Sequence, residues 1–511
     1  MSNYINFTTP IYYTNGQPHI GHLYTTTLVD VYKKFYELLG YKSRMTTGTD
    51  EHGLKILKTA TAMGITPQEL VDKVSGVFRS YWEKMGVSFD DFIRTTEERH
   101  IKIAQRFWDY LVQKGDIYLG KYDGLYCVSC EQYYKESELL PGNVCPIHER
   151  PCDHISEESY FFKLSKYQDK LLEYIHSNPD FIQPTIRRNE VLGFLENEKL
   201  QDISISRNTF DWGIPVPNDP THVMYVWFDA LISYISSLGG PESSDFENYW
   251  TNTFHFIGKD ILRFHAVYWP AMLLALDLPL PKGIVAHGWW NIADKKISKS
   301  SQKETKSLGE IIENVTIDGL RFYITSDLSL ERDGNFDYHH LIETINTNLS
   351  NNLGNLFNRV IVLCNKYFEG ELFYNNNDTD DEWTKLVREK AYDLKKKYII
   401  NMTSFRQFEA IGDVMQYCAF LNEYITNKEP WKLIKDPTKK DEVMLVLSNI
   451  AEGLKWVATF IYPFTPNIAK KMNNSLFHLE SFEIPNVFSC EHFKVSNTDI
   501  LFKRIELEED K

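Results

Sequence analysis

The sequence predicts an α/β protein: a parallel-sheet domain that is split by an insertion and then followed by an all-helical bundle. Three observations lead to this fold class. Strand-like, helix-like and again strand-like segments follow one another within residues 4–47. A cysteine-rich stretch interrupts this pattern near residue 115, and the pattern resumes after residue 210. From about residue 341 onward, long helical periodicities dominate.

The first part of the chain reads as a strand-helix-strand unit. We predict a strand over Tyr4–Thr9, an amphipathic helix over Leu23–Leu39 and a second strand over Tyr41–Thr47. Such a unit implies a Rossmann-like parallel sheet, whose ligand lies beyond the carboxyl ends of the strands. His19, His22 and Asp50 would all fall at that edge.

Strand-like sequence returns at Phe254–Gly258 and Gly283–Gly288, so the insertion divides the sheet domain into two halves. The predicted domains are 1–115 (first half), 116–210 (insertion), 211–325 (second half), 326–350 (linker) and 351–511 (helical bundle). Helices are predicted at Asn355–Tyr367, Asp380–Ile400, Phe405–Asn427 and Asp441–Ile461.

The bulk composition fits a large soluble protein of two to four domains. The chain has 511 residues, 43% of them hydrophobic, and no run approaches the roughly 18 uninterrupted apolar residues of a membrane span. The N-terminus leads directly into a strand instead of a signal peptide, so we expect a cytoplasmic location and no membrane association. A net charge of −15 argues against nonspecific coating of nucleic acid but permits a local basic track.

Four of the seven cysteines crowd into one stretch, where the spacing predicts a metal site. Cys127 and Cys130 form a Cys-x-x-Cys turn, and Cys145 and His148 form a Cys-x-x-His turn. Two such turns can enclose one tetrahedral ion, and a site closed by four protein ligands is structural. We therefore expect one structural Zn²⁺, with Cys152 and His154 open as alternative ligands, and with an unmetallated reduced cluster as the other possibility.

Two distant segments have the chemistry to hold a nucleotide triphosphate. His19 and His22 flank Gly21 at a predicted helix start, where free N–H groups and the helix dipole favour anions. Lys296 and Lys299 lie in a polar loop, where lysines can stabilise a transferring phosphoryl group and a leaving pyrophosphate. Taken singly, the first segment is equally compatible with a structural turn whose polar groups are all hydrogen-bonded, and the second with an ordinary solvent-exposed loop. No P-loop and no Gly-x-Gly-x-x-Gly fingerprint is present.

The pair of segments resembles the two signatures of class I aminoacyl-tRNA synthetases. Ile297 stands where the second signature usually has methionine, an apolar exchange of similar volume. Gly258 and Asp260 are similar to the family segment that passes under adenine and binds the ribose hydroxyls. The resemblance implies catalytic roles and ATP binding for the two signatures, with Mg²⁺ accompanying ATP; the implied ATP-binding residues are His19, Gly21, His22, Gly258, Asp260, Lys296 and Lys299.

Further segments resemble methionyl-tRNA synthetases over nearly the whole chain. They include Gly48–Gly53, Tyr225–Tyr234, Phe264–Pro270 and Ala286–Gly288, in the same order. Trp227, Ala230 and Tyr234 have near-helical spacing, so they could line a cavity for a thioether, although core packing is the ordinary reading of such a stripe. Asp50 would pair with the substrate ammonium group. The methionine-binding residues implied by the resemblance are Ile11, Tyr13, Asp50, Trp227, Ala230, Leu231, Tyr234 and His287, with Leu231 standing where some relatives have proline.

The helical third carries residues that resemble the anticodon readers of the same family. Asn355 and Arg359 are four residues apart and so share one helix face, and Trp431 offers a stacking surface for an unpaired base. The resemblance implies that the protein joins L-methionine to tRNA(Met) through a methionyl-adenylate made from ATP. We expect a monomer.

Two alternatives remain open from the sequence. A cysteine-specific synthetase has the same two signatures, but it would use the metal in the amino-acid pocket, whereas the candidates for that pocket here are aromatic. A noncatalytic tRNA-binding paralogue is the other alternative, and the intact His19, His22, Lys296 and Lys299 argue against it.

Overall fold

A computed structural model describes residues 3–127, 132–134, 138–146, 149–292, 308–373, 381–478, 481–488, 492–496 and 500–506. The chain forms two compact units. The first comprises Met1–Val29 and Lys42–His287, and the second comprises Asp30–Tyr41 and Gly288–Lys511.

The first unit is built on a seven-stranded sheet in which every pairing is parallel. Its order is β2-β3-β1-β13-β14-β8, and β4 also pairs with β3. The strands of this unit are β1 (Tyr4–Thr8), β2 (Tyr12–Tyr13), β3 (Lys42–Asp50), β4 (Asp91–Arg94), β5 (Ile117–Cys127), β6 (Gln132–Tyr134), β7 (Asp153–Phe162), β8 (Ile182–Gln183), β9 (Ile203–Ser204), β10 (Ser206–Arg207), β11 (Pro215–Val216), β12 (Asp219–Met224), β13 (Thr253–Gly258) and β14 (Gly283–His287). The predicted split parallel sheet is confirmed, because β1–β4 precede the insertion and β13 and β14 follow it.

Helices cover the parallel sheet, as its strands require: β14 is buried along its whole length. The helices that begin in this unit are α1 (Ile20–Leu38), α2 (Leu54–Met63), α3 (Pro67–Lys84), α4 (Glu98–Lys114), α5 (Gln168–Ser177), α6 (Thr185–Asn197), α7 (Val226–Ser236), α8 (Ser244–Tyr249) and α9 (Trp269–Ala275). Helix α1 begins three residues before the predicted Leu23, and the Leu23 amide already bonds to the His19 carbonyl at 3.0 Å. The apolar periodicity starts only at Leu23, whereas the helix start predicted around Gly21 for the histidine segment agrees with the observed start at Ile20.

The predicted insertion contains an antiparallel four-stranded sheet in the order β6-β5-β7-β9. Its long pair runs from Ile117 opposite Phe162 to Tyr126 opposite Asp153. The chain then returns to the main sheet before the insertion's predicted end, because β8 pairs in parallel with β14. Two residues of strand give no periodicity from which that return could be predicted.

The second unit is mainly helical, which confirms the predicted helical third. Its helices are α10 (Leu308–Asn314), α11 (Ile317–Ser326), α12 (Tyr338–Thr344), α13 (Asn355–Phe368), α14 (Glu382–Thr403), α15 (Gln407–Lys428), α16 (Pro430–Leu433), α17 (Lys440–Ile461) and α18 (Pro466–Phe477), with a π-helix over Ile345–Gly354. Two strand pairs complete it: β15 (Trp290–Ile292) with β16 (Gly334–Phe336), and β17 (Glu371–Phe373) with β18 (His492–Lys494).

Residues from Gly288 onward fold with this second unit, whereas the sequence prediction grouped residues 288–325 with the sheet domain. The Gly288 amide donates to the Leu330 carbonyl at 2.9 Å. The Trp290 ring packs 5.4 Å from the Tyr323 ring on α11. Side-chain packing between these distant segments is not visible in local sequence patterns.

One helical stretch, Pro437–Ile461, has the length and hydropathy of a membrane span among the described residues. However, 83% of its apolar window is buried inside the protein. It packs against α14, α15 and α18. Burial against its neighbours therefore accounts for its apolar character, as in the core helix of a bundle.

Candidate active site

The parallel sheet brings several predicted site residues to one edge. Gly258 ends β13 and lies opposite His287, which ends β14. Asp50 ends β3 and lies opposite Tyr13 of β2. Because neighbouring parallel strands end on the same side, these four residues lie along one carboxyl edge, as predicted for a ligand site.

The two histidines of the first helical turn stack on one another. The His19 and His22 ring centroids are 3.6 Å apart, and the His19 amide donates to Nδ1 of His22 at 3.3 Å. The Gly21 amide donates to Nδ1 of His19 at 3.1 Å. A Cβ on Gly21 would lie 3.1 Å from Cε1 of His19, so glycine is the residue that lets the imidazole fold over this turn.

Both imidazoles are held in the neutral form. Burial lowers the pKa of His19, and the nearby carboxylate of Asp260 opposes this effect. Burial, followed by the proximity of His19, places the pKa of His22 well below its ordinary value. A neutral imidazole can donate one hydrogen bond, so both rings are suited to contact phosphate oxygens at a helix N-terminus. The electrostatic effect of the Asp260 carboxylate on His19 also shows that the histidine turn lies near the Gly258–Asp260 segment.

Gly258 makes room for the Asp260 carboxylate. A Cβ at residue 258 would lie 2.5 Å from Oδ1 of Asp260 and 3.9 Å from Cε1 of His287. The backbone φ of Gly258 is −69°, so the close approach of this carboxylate, and not the backbone conformation, favours glycine.

His287 lies beside Gly258 at the carboxyl edge of the sheet. Its Nε2 is 2.7 Å from the Thr25 hydroxyl, and its ring is 4.9 Å from that of Tyr24 in an edge-on contact. This position is at the predicted nucleotide segment. The role of His287 in methionine binding therefore remains a prediction.

Aromatic side chains from three elements converge beside Asp50. Tyr13 meets Trp227 edge-on with 6.5 Å between ring centroids, and Trp227 stacks on Phe264 at 3.8 Å. Burial raises the pKa of Tyr234, and the nearby Tyr12 and Asp50 add to the shift. The carboxylate and the aromatic face of α7 thus lie close together, which is the arrangement expected of the predicted pocket for an ammonium group and a thioether.

Sequence reasoning missed the histidine that orients Tyr234. His265 Nε2 lies 2.8 Å from the Tyr234 hydroxyl, and its Nδ1 lies 3.0 Å from the Ile261 carbonyl. Burial lowers the pKa of His265 to about 4, against the opposing effects of Ile261 and Asp260. The neutral ring donates to Ile261 and accepts from the Tyr234 hydroxyl. His265 stands within the Phe264–Pro270 segment used for the family resemblance, but nothing in its spacing identified this partner.

Comparison with known proteins identifies the family. The sequence profile for "tRNA synthetases class I (M)" matches residues 5–153 and 138–361. The methionine–tRNA ligase of Rickettsia bellii is 42% identical over 98% of this chain and 98% of the relative's length. The chain belongs to the class I methionyl-tRNA synthetases.

Two further relatives have similar coverage. The methionine–tRNA ligase of Fusobacterium nucleatum subsp. nucleatum is 40% identical over 98% of this chain and 80% of its own length. The structure of the Mycobacterium tuberculosis methionyl-tRNA synthetase in complex with methionyl-adenylate superposes with a TM-score of 0.92 at 34% identity, covering 99% of this chain and 100% of that one. The family, fold class and ligase activity expected from the sequence are confirmed.

The lysine loop lies outside the described residues. Lys296 and Lys299, which resemble the second signature of the family, fall in the interval 293–307, for which the structure gives no description. Their catalytic and ATP-binding roles remain predictions.

The predicted zinc knuckle is described only in part. Cys127 and Cys145 are buried together with Cys152, while Cys130 and His148 lie outside the described residues. Burial, and next the nearby Cys127 and Cys145, raise the pKa of Cys152 to about 11. Within the described ranges, no group of three or more histidine, cysteine or acidic side chains is arranged to hold a metal. A thiol-rich donor set fits Zn²⁺, and the fourth ligand remains a prediction: His148, with Cys152 and His154 as the alternatives.

The predicted anticodon residues are all exposed on the second unit. Asn355 and Arg359 lie one turn apart on α13, and both face solvent. Trp431, on α16, is 36% exposed. Exposure is what binding to an unpaired base requires.

Proposed function

We propose that this chain activates L-methionine with ATP and transfers the methionyl group to tRNA(Met), using the residues gathered at the carboxyl edge of its parallel sheet. The observation that carries this proposal is the proximity of two chemically different sites on that edge. His19, His22 and Asp260 form a group suited to a nucleotide. Asp50 and the aromatic face of α7 form a group suited to an amino acid with an unbranched apolar side chain.

The first step is an in-line displacement at the α-phosphorus of ATP. A carboxylate oxygen of methionine forms the new bond to phosphorus, and the bond to the bridging oxygen breaks to release pyrophosphate. The neutral imidazoles of His19 and His22 donate hydrogen bonds to phosphate oxygens as negative charge builds on them. ATP enters with Mg²⁺, and Lys296 and Lys299 neutralise the departing pyrophosphate. No general base is needed, because the attacking carboxylate is already ionised.

The amino-acid end is held by three kinds of contact. The Asp50 carboxylate pairs with the substrate ammonium group, while Ile11, Tyr13, Ala230 and Leu231 enclose the aliphatic chain. Sulfur–ring contacts of roughly 0.3 to 1.5 kcal/mol each favour a thioether against the rings of Trp227 and Tyr234. Asp50 is 3% exposed, so little water competes for its ion pair with the substrate.

The second step is acyl transfer to tRNA. The 2′-hydroxyl of the terminal adenosine attacks the methionyl carbonyl and the ester bond forms. AMP leaves with the electrons of the broken mixed-anhydride bond, and its phosphate takes up the proton of the hydroxyl. Asn355 and Arg359 hydrogen-bond anticodon base edges, and Trp431 stacks on an unpaired base. The enzyme acts in the cytoplasm as a monomer.

One exchange assay tests the amino-acid specificity. The purified chain is incubated with ATP, Mg²⁺ and labelled pyrophosphate, in separate reactions with methionine and with cysteine. We expect exchange with methionine alone. Exchange that depends on cysteine would favour a cysteine-specific synthetase, and no exchange with either amino acid, together with retained tRNA binding, would favour a noncatalytic tRNA-binding protein.

The zinc ion has its own test. We expect about one zinc per chain by metal analysis, held by Cys127, Cys130, Cys145 and His148. His148→Ala, Cys152→Ala and His154→Ala variants then separate the three candidate fourth ligands, since only the true ligand's removal should lower the zinc content. A wild-type chain with well under one zinc would contradict the proposal.

A further inference from the structure

Helix α7 has a second functional face, opposite the one that lines the methionine pocket. Trp227 and Tyr234 lie seven residues apart, two helical turns, and share the pocket face. Asp229 and Ser236 are also seven residues apart, with Ser233 between them, and they lie on the opposite side. Both Asp229 and Ser236 are fully buried, so this polar face packs inside the first unit.

Asp229 receives hydrogen bonds from two histidines on two other elements. Its Oδ2 lies 2.6 Å from Nδ1 of His52, just beyond the end of β3, and its Oδ1 lies 2.5 Å from Nε2 of His100 on α4. An ionised carboxylate only accepts hydrogen bonds, so both rings donate to it. His100 has Ser236 as its second partner, with Nδ1 of the ring 2.9 Å from the hydroxyl.

The carboxylate is ionised although it is fully buried. Burial by itself raises the pKa of Asp229, but the facing His52 and His100 more than offset this effect and hold the pKa below its ordinary value. A buried carboxylate that accepts two charge-assisted hydrogen bonds fixes the positions of both donors, because losing either bond leaves uncompensated charge in a dry environment.

His52 links the Asp229 carboxylate and its two histidine partners, which we call the Asp229 anchor, to the proposed substrate-binding carboxylate of Asp50. It follows Asp50 by two residues, and Asp50 is itself fixed by pairing with Tyr13 across β2 and β3. Trp212 packs edge-on against the His52 ring at 5.5 Å, which further restricts the imidazole. The separation between the end of β3 and helix α7 is therefore set through the contact of His52 with Asp229.

We infer that Asp229 is a positioning residue for methionine: by holding α7 to the end of β3, it sets the distance between the Asp50 carboxylate and the thioether-binding rings of Trp227 and Tyr234. Asp229 does not touch the substrate. This inference rests on the proposed function, because it assigns a role within the same amino-acid pocket. It predicts a defect in methionine binding with the nucleotide site left intact.

The main test is the Asp229→Asn variant, which keeps the side chain's volume but removes its charge. We expect the KM for methionine in pyrophosphate exchange to rise roughly 10- to 100-fold, the range of a hydrogen bond to a charged group. The KM for ATP should stay within about twofold, since the nucleotide residues are not part of this anchor. Ser233→Ala is the matched control: it lies on the same buried face, and its hydroxyl has no hydrogen-bond partner among the described residues. It should leave both constants unchanged.

A second pair of variants decides the matter if Asp229→Asn does not fold. Glutamine can donate from about the place of the His100 Nε2, whereas leucine cannot. His100→Gln should therefore keep the methionine KM near the wild-type value, while His100→Leu should raise it without changing the ATP KM. A merely structural role would move both KM values together or change only the thermal stability.

The outcomes separate the two proposals. Wild-type exchange with methionine, combined with an unchanged methionine KM in Asp229→Asn and in His100→Leu, would overturn the positioning role alone. Parallel increases in both KM values, or a fall in kcat with both KM values unchanged, would overturn it as well. A wild-type chain that gives no methionine-dependent exchange would overturn the proposed function, and the positioning role with it.

Discussion

The close approach of Asp260 to Gly258 gives a sharp prediction for the nucleotide site. A Cβ added at residue 258 would meet Oδ1 of Asp260 at 2.5 Å, whereas ordinary contact begins at 3.4 Å. The carboxylate must therefore move by about 1 Å, and a displacement of that size can reduce the rate roughly 100-fold. The atom that must move belongs to a side chain and not to the backbone, so we expect the fold to be retained.

We expect Gly258→Ala to fold normally and to lower kcat/KM for ATP in the exchange assay by roughly 10- to 100-fold, with little change in the KM for methionine. Gly193→Ala in α6 is the control, because a Cβ there meets nothing within 4 Å. The Gly258→Ala and Asp260→Ala changes should also be non-additive, since both act through the same carboxylate. Full additivity, or a folded Gly258→Ala variant with wild-type ATP kinetics, would show that Gly258 does not act through the Asp260 carboxylate.

Three further predictions concern other parts of the protein. Tyr234→Phe removes the hydroxyl that donates a hydrogen bond to Nε2 of His265. The free energy of unfolding should therefore fall by about 1 to 3 kcal/mol in urea titrations, and the methionine KM should rise. Unchanged values of both would contradict the contact. Arg359→Ala should lower kcat/KM for tRNA(Met) in aminoacylation while leaving pyrophosphate exchange intact, and equal losses in both assays would argue against an anticodon role. The folded-state pKa of Asp229 lies below its ordinary 3.8, so its ionised form stabilises the fold above about pH 4. This stability is lost as the pH falls through the folded-state pKa, so Asp229→Asn should lose less stability than the wild type on acidification. Acid unfolding curves of the same shape for both proteins would contradict this.

Local sequence patterns predicted the elements whose signal is periodic. The alternating strand and helix segments gave the parallel sheet, and the spacing of Trp227, Ala230 and Tyr234 gave the aromatic face of α7. These predictions depend only on which residues share a face of one element. The short strand β8 has two residues and hence no period, so its return to the sheet within the predicted insertion was not foreseen.

Side-chain contacts between residues that lie far apart in the chain could not be predicted from the sequence. Asp229 meets His52 and His100 across 177 and 129 residues, and each of the three is an ordinary polar residue in its own segment. The hydrogen bond between His265 and Tyr234 is another example, because the spacing of these two residues did not indicate it.

A crystal structure of the chain grown with methionine, ATP and Mg²⁺ would test the central claim most directly. We expect methionyl-adenylate along the carboxyl edge of the sheet, with the ribose at Asp260, the ammonium group at Asp50 and the thioether against Trp227 and Tyr234. A ligand bound elsewhere, or a methionyl side chain directed away from the aromatic face of α7, would contradict it.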